Sequence, residues 1–302
     1  MTVISVIMLT YNRETLVSRA IESVLAQTFG DFEFVIVDNG SSDRSGAIAD
    51  EYAKRDARIR VLHRERGNIG IGRNAGLDAA VGEWVAFVDD DDWCEPDFLA
   101  FLHNLAMENN ADIAICGAVD REFDERRVYS AEEAVIELLW RKRFNVQFPT
   151  KLLRRKLFDG NRFSDSAKYD DIELMPKMLA KANKVAFHGL PKYTFHRHPG
   201  NNSAWTTDHS LLDAATLSEY LAVYRERTDW LCRKFPDSAS AWRYFEWSFW
   251  LSMVEKVDRL GLVDCKQFAA RLQRELAICR RDFLECGHIQ DFEIKQLKEY
   301  AG

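Results

Sequence analysis

The stretch Trp84-Val85-Ala86-Phe87-Val88-Asp89-Asp90-Asp91-Asp92-Trp93 passes from an apolar run straight into four carboxylates. Carboxylates packed side by side repel one another and raise each other's pKa unless a cation compensates. Oxygen ligands alone suit a hard divalent ion, Mg²⁺ or Mn²⁺. Mg²⁺ commonly takes one or two protein carboxylates and leaves its other positions to water and substrate phosphates. Alternate residues of an extended segment point the same way, so Asp89 and Asp91 share one ion while Asp90 and Asp92 face elsewhere. Taken alone, the four residues read equally as a solvated acidic turn. The rest of the chain decides between the two.

Upstream, Val3 to Leu9 is a short apolar, β-branched run that predicts a strand buried on both faces, and Thr10-Tyr11-Asn12-Arg13 ends it. Leu16, Val17, Ala20, Ile21, Val24 and Leu25 then recur at helical spacing. Phe32 to Val37 predicts a second strand closing on the turn formers Asp38-Asn39-Gly40-Ser41-Ser42-Asp43, followed by a helix through Ala47 to Ala53 and a strand at Ile59 to Leu62. Strand, loop, helix, strand at this spacing is the mark of βαβ units and a parallel sheet. Ligands of such sheets bind at the carboxyl ends of the strands, where the loops at 10–13, 38–43 and 89–92 gather. Gly67-Asn68-Ile69-Gly70-Ile71-Gly72-Arg73-Asn74-Ala75-Gly76 lies between them: a turn into a helix from Asn74 to Ala80, or a backbone that lets a ligand approach, with Arg73 to pair with phosphate. Its glycines do not have dinucleotide-fingerprint spacing.

Composition narrows the function classes. A chain of 302 residues buries a real core and is long for one ordinary domain. A formal charge of -7 excludes a basic nucleic-acid face, and 47% apolar residues exclude wholesale disorder. Six scattered cysteines without a C-x-x-C pair read as reduced cytosolic thiols, not a zinc site. Met1 to Ile7 lacks a basic leader and cleavage site, and no uncharged run approaches the roughly 18 residues of a membrane span. The expectation is a soluble or peripheral cytoplasmic protein.

Downstream, Glu95-Pro96-Asp97 predicts a helix start, and Asp112 to Cys116 a strand. Asp120 to Arg143 has no clear period. Tyr169-Asp170-Asp171-Ile172-Glu173 is a second carboxylate cluster opening a helical pattern, which plain capping would also explain. Val185 to His188 reads as a strand leading to Thr194-Phe195-His196-Arg197-His198. Either histidine has the chemistry of a metal ligand, although a hydrogen-bonded structural role is the commoner one. Beyond Asp208 the pattern is helical. Trp242, Phe245, Phe249, Trp250 and Met253 share a face that must be covered, by the first domain or another subunit and not by a membrane.

Five segments together, Val6 to Arg13, Ser23 to Phe29, Val35 to Asp43, Gly72 to Gly76 and Phe87 to Trp93, closely resemble family 2 glycosyltransferases in order and spacing. The resemblance implies a GT-A fold, α/β with a Rossmann-like, mostly parallel sheet and flanking helices, over residues 1–205, divided into a nucleotide-sugar part (1–118) and an acceptor part (119–205). A helical C-terminal region (206–302) follows. It also implies a nucleotide-sugar donor, usually a UDP-sugar, and a saccharide or lipid-linked saccharide acceptor, as in bacterial surface polysaccharide assembly. Asp89 and Asp91 look like the D-x-D pair holding Mn²⁺ or Mg²⁺, and Asp90 sits beside them in the donor site. Thr10, Tyr11, Asn12, Arg13, Asp38, Asn39 and Arg73 resemble donor-binding positions, and His196, Arg197 and His198 a basic segment that closes over the diphosphate. Asp171 looks like the general base of an inverting transfer. Asn39 stands where an aspartate commonly contacts uracil, leaving the base open, and Asp170 shortens a common glutamate. The alternatives are a catalytically inactive GT-A scaffold or sugar-nucleotide-binding module, a nucleotidyltransferase, which would release pyrophosphate, and a simple cation binder, which would not explain Arg73. Peripheral membrane contact and homodimerisation through the C-terminal helices are compatible with this reading; nucleic acid is not a partner.

Overall fold

The computed structural model describes residues 2–119, 124–165, 169–198 and 208–300, and of Asp170 the backbone alone. The chain forms two compact units, Met1–His196 and Arg197–Gly302.

The first unit is built on one sheet. Strands β1 (Ile4–Thr10), β2 (Phe32–Asp38), β3 (Ile59–His63) and β4 (Trp84–Phe87) run parallel in the spatial order β3-β2-β1-β4. These are the βαβ strands that the apolar runs predict. Alternate residues of β1 serve opposite faces. Ile4, Val6 and Met8 join the core containing Val17, Ala20, Ile21 and Val24 of α1 (Val17–Leu25). Ile7 and Leu9 meet α3 (Ile69–Ala79). Helix α2 (Ser45–Ala53) starts two residues before its predicted position.

The glycine-rich stretch is the largest departure from the sequence reading. It is helix from Ile69 onward, with Asn68 as N-cap accepting from the Ile71 N–H at 2.8 Å. Its glycines permit close packing: a Cβ at Gly72 would sit 2.2 Å from Leu9 Cδ1, and one at Gly76 2.5 Å from Ile7 Cγ2. The missing side chains bring the helix down onto β1, which delivers Arg73 to the site.

The far half of the sheet is mixed, so the sheet is less uniformly parallel than expected. Strand β8 (Lys151–Arg154) runs antiparallel to both β4 and β6 (Ile113–Ala118), and β9 (Val185–Thr194) is parallel to β6. Short strands β5 (Trp93–Cys94) and β7 (Arg126–Tyr129) pair antiparallel with β9. The unpatterned 120–143 segment therefore contains β7 and helix α5 (Ala131–Trp140), whose start carries a Ser130/Glu133 capping box. Helices α4 (Phe98–Asn109) and α6 (Asp170–Lys181) complete the unit.

The second unit is helical: α7 (Ala214–Lys234), α8 (Ala239–Arg259), α9 (Lys266–Ile278), α10 (Arg280–Glu285) and α11 (Asp291–Tyr300). Helix α8 is the hub, packed by the other four. Within the unit, the aromatic face packs against these neighbours. Trp242 is fully buried and donates its indole N–H to Phe235 O, and Phe249 stacks on Tyr224 with ring centroids 3.8 Å apart. No helix among the described residues is long and apolar enough to cross a membrane.

Candidate active site

Strand register sets the site. Thr10 pairs with Asp38 and Asp38 with His63, so β1, β2 and β3 end side by side. Ile7 pairs with Phe87, and the Val88 N–H donates to Ile7 O, which brings the aspartate run level with Thr10. The loops at 10–13, 38–45 and 89–92 are then laced together. The Tyr11 N–H donates to Asp90 Oδ2 (3.1 Å), the Asn12 N–H to Ser41 Oγ (3.1 Å), and the Arg13 N–H to Ser45 Oγ (2.7 Å). Asn12 adopts φ +52°, a left-handed conformation that asparagine tolerates better than most residues, and its Oδ1 accepts from the Ser42 N–H.

The four aspartates divide by role. Asp92 is structural: its carboxylate accepts from the Tyr193 hydroxyl (2.8 Å) and the His196 N–H (2.7 Å), and the same hydroxyl accepts from the Asp89 N–H (3.1 Å). Asp90 is tied to Tyr11 and lies 3.8 Å from Arg13 Nε, which is equally 3.8 Å from Asp91. Asp89 points toward Arg73 at 3.7 Å. Burial pushes Asp90 up to about 7, with the neighbouring Asp91 adding to it. Burial likewise raises Asp92, reinforced by Asp89, and raises Asp89 despite the opposing pull of Arg73. The Asp89 side chain keeps 43% of its surface open to solvent while protein walls its other sides. Four carboxylates thus crowd one place beside Arg13 and Arg73.

Arg73 joins the two acidic clusters. Its guanidinium pairs with Asp171 Oδ1 at 2.6 Å and faces Asp89, with its side chain only 10% exposed. Phe163, Phe87 and Phe148 surround it, their ring centroids 5.2, 5.9 and 6.0 Å from the guanidinium carbon. Asp171, in the first turn of α6, therefore lies across a single side chain from the aspartate run. Asn39 is pinned to Gly67, donating from Nδ2 to its carbonyl (2.8 Å) and accepting from its N–H (3.3 Å). Asp38 Oδ1 accepts from the Ser41 N–H. His196 stands against Trp93, with rings 5.8 Å apart, while Arg197 and His198 belong to the second unit.

A model described as "Glycosyl transferase family 2" matches residues 5–166, more than half of the chain and the whole of the βαβ region bearing these loops. The chain belongs to glycosyltransferase family 2. Glycosyltransferase GlyG of Streptococcus pneumoniae is 30% identical over 216 residues, 66% of this chain and 72% of GlyG. The uncharacterized glycosyltransferase EpsJ of Bacillus subtilis is 42% identical over 123 residues, 41% of this chain but only 36% of EpsJ, so the match spans about a third of that relative's length. Among solved structures, the TarS 1-349 fragment of S. aureus superposes with a TM-score of 0.66 at 20% identity, over 94% of this chain and 88% of the fragment, a likeness of fold. That fragment has also been crystallised in complex with UDP-GlcNAc.

Several residues of this family 2 glycosyltransferase's site escape sequence reasoning. Tyr193 clamps the aspartate loop from β9, and its only sequence signal is an aromatic beside the basic segment. Phe148 and Phe163 enclose Arg73 from segments whose spacing gives no hint of it. Arg66 lies over the Tyr11 ring, its guanidinium carbon 4.9 Å from the centroid. Lys151 on β8 is fully buried, donating to Gln147 O, and burial pushes its ammonium down to about 7. Thr150, just before it, takes φ +75°.

Proposed function

We propose that this protein transfers a sugar, with inversion, from a nucleotide-sugar donor, a UDP-sugar, to a hydroxyl of a saccharide or lipid-linked saccharide. The observation that carries the proposal is the single guanidinium of Arg73 lying between Asp89 and Asp171. It joins the crowded carboxylates of the 89–92 loop to a candidate base, Asp171.

The residues fit a divalent ion, Mn²⁺ or Mg²⁺. Such an ion commonly takes one or two protein carboxylates, with phosphate and water completing the shell. Asp89 and Asp91 would hold the ion. What such an ion supplies when bound is stabilisation of charge on the leaving diphosphate.

The protein's own groups do the rest. The loops at 10–13 and 38–43, laced by Asn12 and Ser41, form the floor on which the nucleoside lies, with Tyr11, Asp38 and Asn39 around it. Arg73 offers positive charge beside Asp89 in a site walled by phenylalanines, where low polarity strengthens that interaction. His196, held by Asp92 through its N–H, supplies a hydrogen-bonding group toward the diphosphate. Asp171 accepts the proton of the acceptor hydroxyl as its oxygen attacks the anomeric carbon. The bond from that carbon to the diphosphate oxygen breaks, and a nucleoside diphosphate leaves. One displacement inverts the centre. Nucleotide sugars are made in the cytoplasm, which suits the reduced cysteines.

The test is Asp171→Asn with nucleoside diphosphate release as the assay. Loss of a general base costs about 10²- to 10⁴-fold in turnover, while donor affinity, measured calorimetrically with UDP-GlcNAc, stays within a few-fold. Full turnover by the variant would remove Asp171 from the mechanism. Wild-type protein that binds donor but turns over no acceptor of the class would favour a sugar-nucleotide-binding module.

A further inference from the structure

His63 ends β3 directly beside Asp38, its register partner at the end of β2. Its Nδ1 lies 3.0 Å from Asp38 Oδ2, and its Nε2 lies 3.0 Å from Asp50 Oδ1 on α2. A neutral imidazole carries one N–H and one lone pair, so it can donate to only one carboxylate and would present a lone pair to the other. Two ring nitrogens each at hydrogen-bonding distance from a carboxylate oxygen is the arrangement of an imidazolium. Asp38 from β2 and Asp50 from α2 are the charged groups facing the ring; Arg64 and Arg66 follow on its own segment.

The packing around the pair leaves little slack. Asp38 is buried, its other oxygen accepts from the Ser41 N–H, and its backbone carbonyl accepts from the Arg64 N–H. A Cβ at Gly46, in the first turn of α2, would fall 2.4 Å from Asp38 Oδ2 and 3.3 Å from His63 Cε1. Helix α2 is thus pressed onto the Asp38–His63 contact, and Ser41 on the same loop holds Asn12 of the neighbouring one.

We propose that His63 is a positioning residue for the donor site, a protonated clasp that fastens Asp38 to Asp50 and so fixes the 38–43 loop on which the nucleoside rests. This rests on the donor-site reading above. Loss of the proton turns one of the two bonds into a repulsive contact and loosens the loop. Donor affinity therefore falls as pH rises through the His63 pKa and is flat below it. Asp38 first and Asp50 second raise that pKa above its ordinary value of 6.5, which puts the change on the alkaline side of 6.5. With half of the ring open to water, the effect is modest: the protonated form binds donor roughly three- to tenfold more tightly.

By linkage, a ligand that prefers the protonated form must raise the His63 pKa by the same factor. The experiment is a pH titration of the histidine ring signals of the full-length, ¹³C-histidine-labelled chain, with His63 assigned by His63→Gln. It is run alone, with saturating UDP and Mg²⁺, and in Asp50→Asn. The expected result is a His63 midpoint above 6.5, lower in Asp50→Asn, and raised by UDP by about 0.5 to 1 pH unit, the same three- to tenfold factor. A midpoint at the ordinary value, or one that UDP leaves unmoved while the His196 signal shifts on binding, would overturn the inference and leave the donor site standing. If UDP moves no histidine signal and releases no heat, the donor-site reading fails and this inference falls with it.

Discussion

Two buried cations, Arg73 and Lys151, set the electrostatics beneath the reacting groups. Arg73 pairs with Asp171 and faces Asp89. Lys151 has a backbone carbonyl and the more distant charge of Asp171, and burial outweighs both. With its pKa depressed from 10.5 to about 7, the folded chain binds this proton less readily than the unfolded chain. Stability from this group is therefore present above 10.5, declines as pH falls toward about 7, and levels off below. Lys151→Met removes that slope. The variant should be more stable than wild type at pH 7 by roughly 2 kcal/mol, since replacing a poorly compensated buried charge with an apolar side chain is often stabilising. The difference should shrink toward pH 10. Urea unfolding at pH 7 and pH 9 measures both, and equal slopes in the two proteins would contradict the assignment.

Helix α3 shows what a sequence conceals at the scale of an element. Its glycines read equally as a ligand-facing loop; only the structure reveals that they lie under β1 and beside Ser164. A Cβ at Gly70 would fall 2.1 Å from the Ser164 carbonyl oxygen, a backbone atom that cannot swing aside. Gly70→Ala should therefore destabilise by about 1–3 kcal/mol despite alanine's better helix propensity, seen as a lower urea midpoint with an unchanged m-value. A neutral or stabilising result would mean that the contact is looser than drawn. The parallel strands were legible because each buried strand is an apolar run ending at a turn, and the two acidic stretches at 89–92 and 170–171 stood out as clusters of carboxylates. The partnership of Arg73 with Asp171, the clamp from Tyr193 and the clasp of His63 were not. Each joins residues far apart in sequence through a sheet register that no local period encodes. Strand β8, antiparallel on both sides, was unreadable for the same reason.

Over the whole molecule, the site is a product of topology. Strands β1, β2 and β3 end level, the aspartate run follows β4 at the same height, and α6 brings Asp171 to it through Arg73. No single loop contains the chemistry. The helical unit has its own core, with the Trp242 face closed by its own neighbours. On the function proposed above, these loops make one cation-dependent nucleotide site. Calorimetry of UDP binding, with and without Mn²⁺, to wild type and to Asp91→Ala, tests it most directly. The expected result is binding that requires Mn²⁺ and weakens roughly 30-fold or more in Asp91→Ala, the usual effect of removing one partner from a desolvated charge cluster. Equal binding by both proteins regardless of Mn²⁺, or no nucleotide bound by a folded wild type, would contradict it.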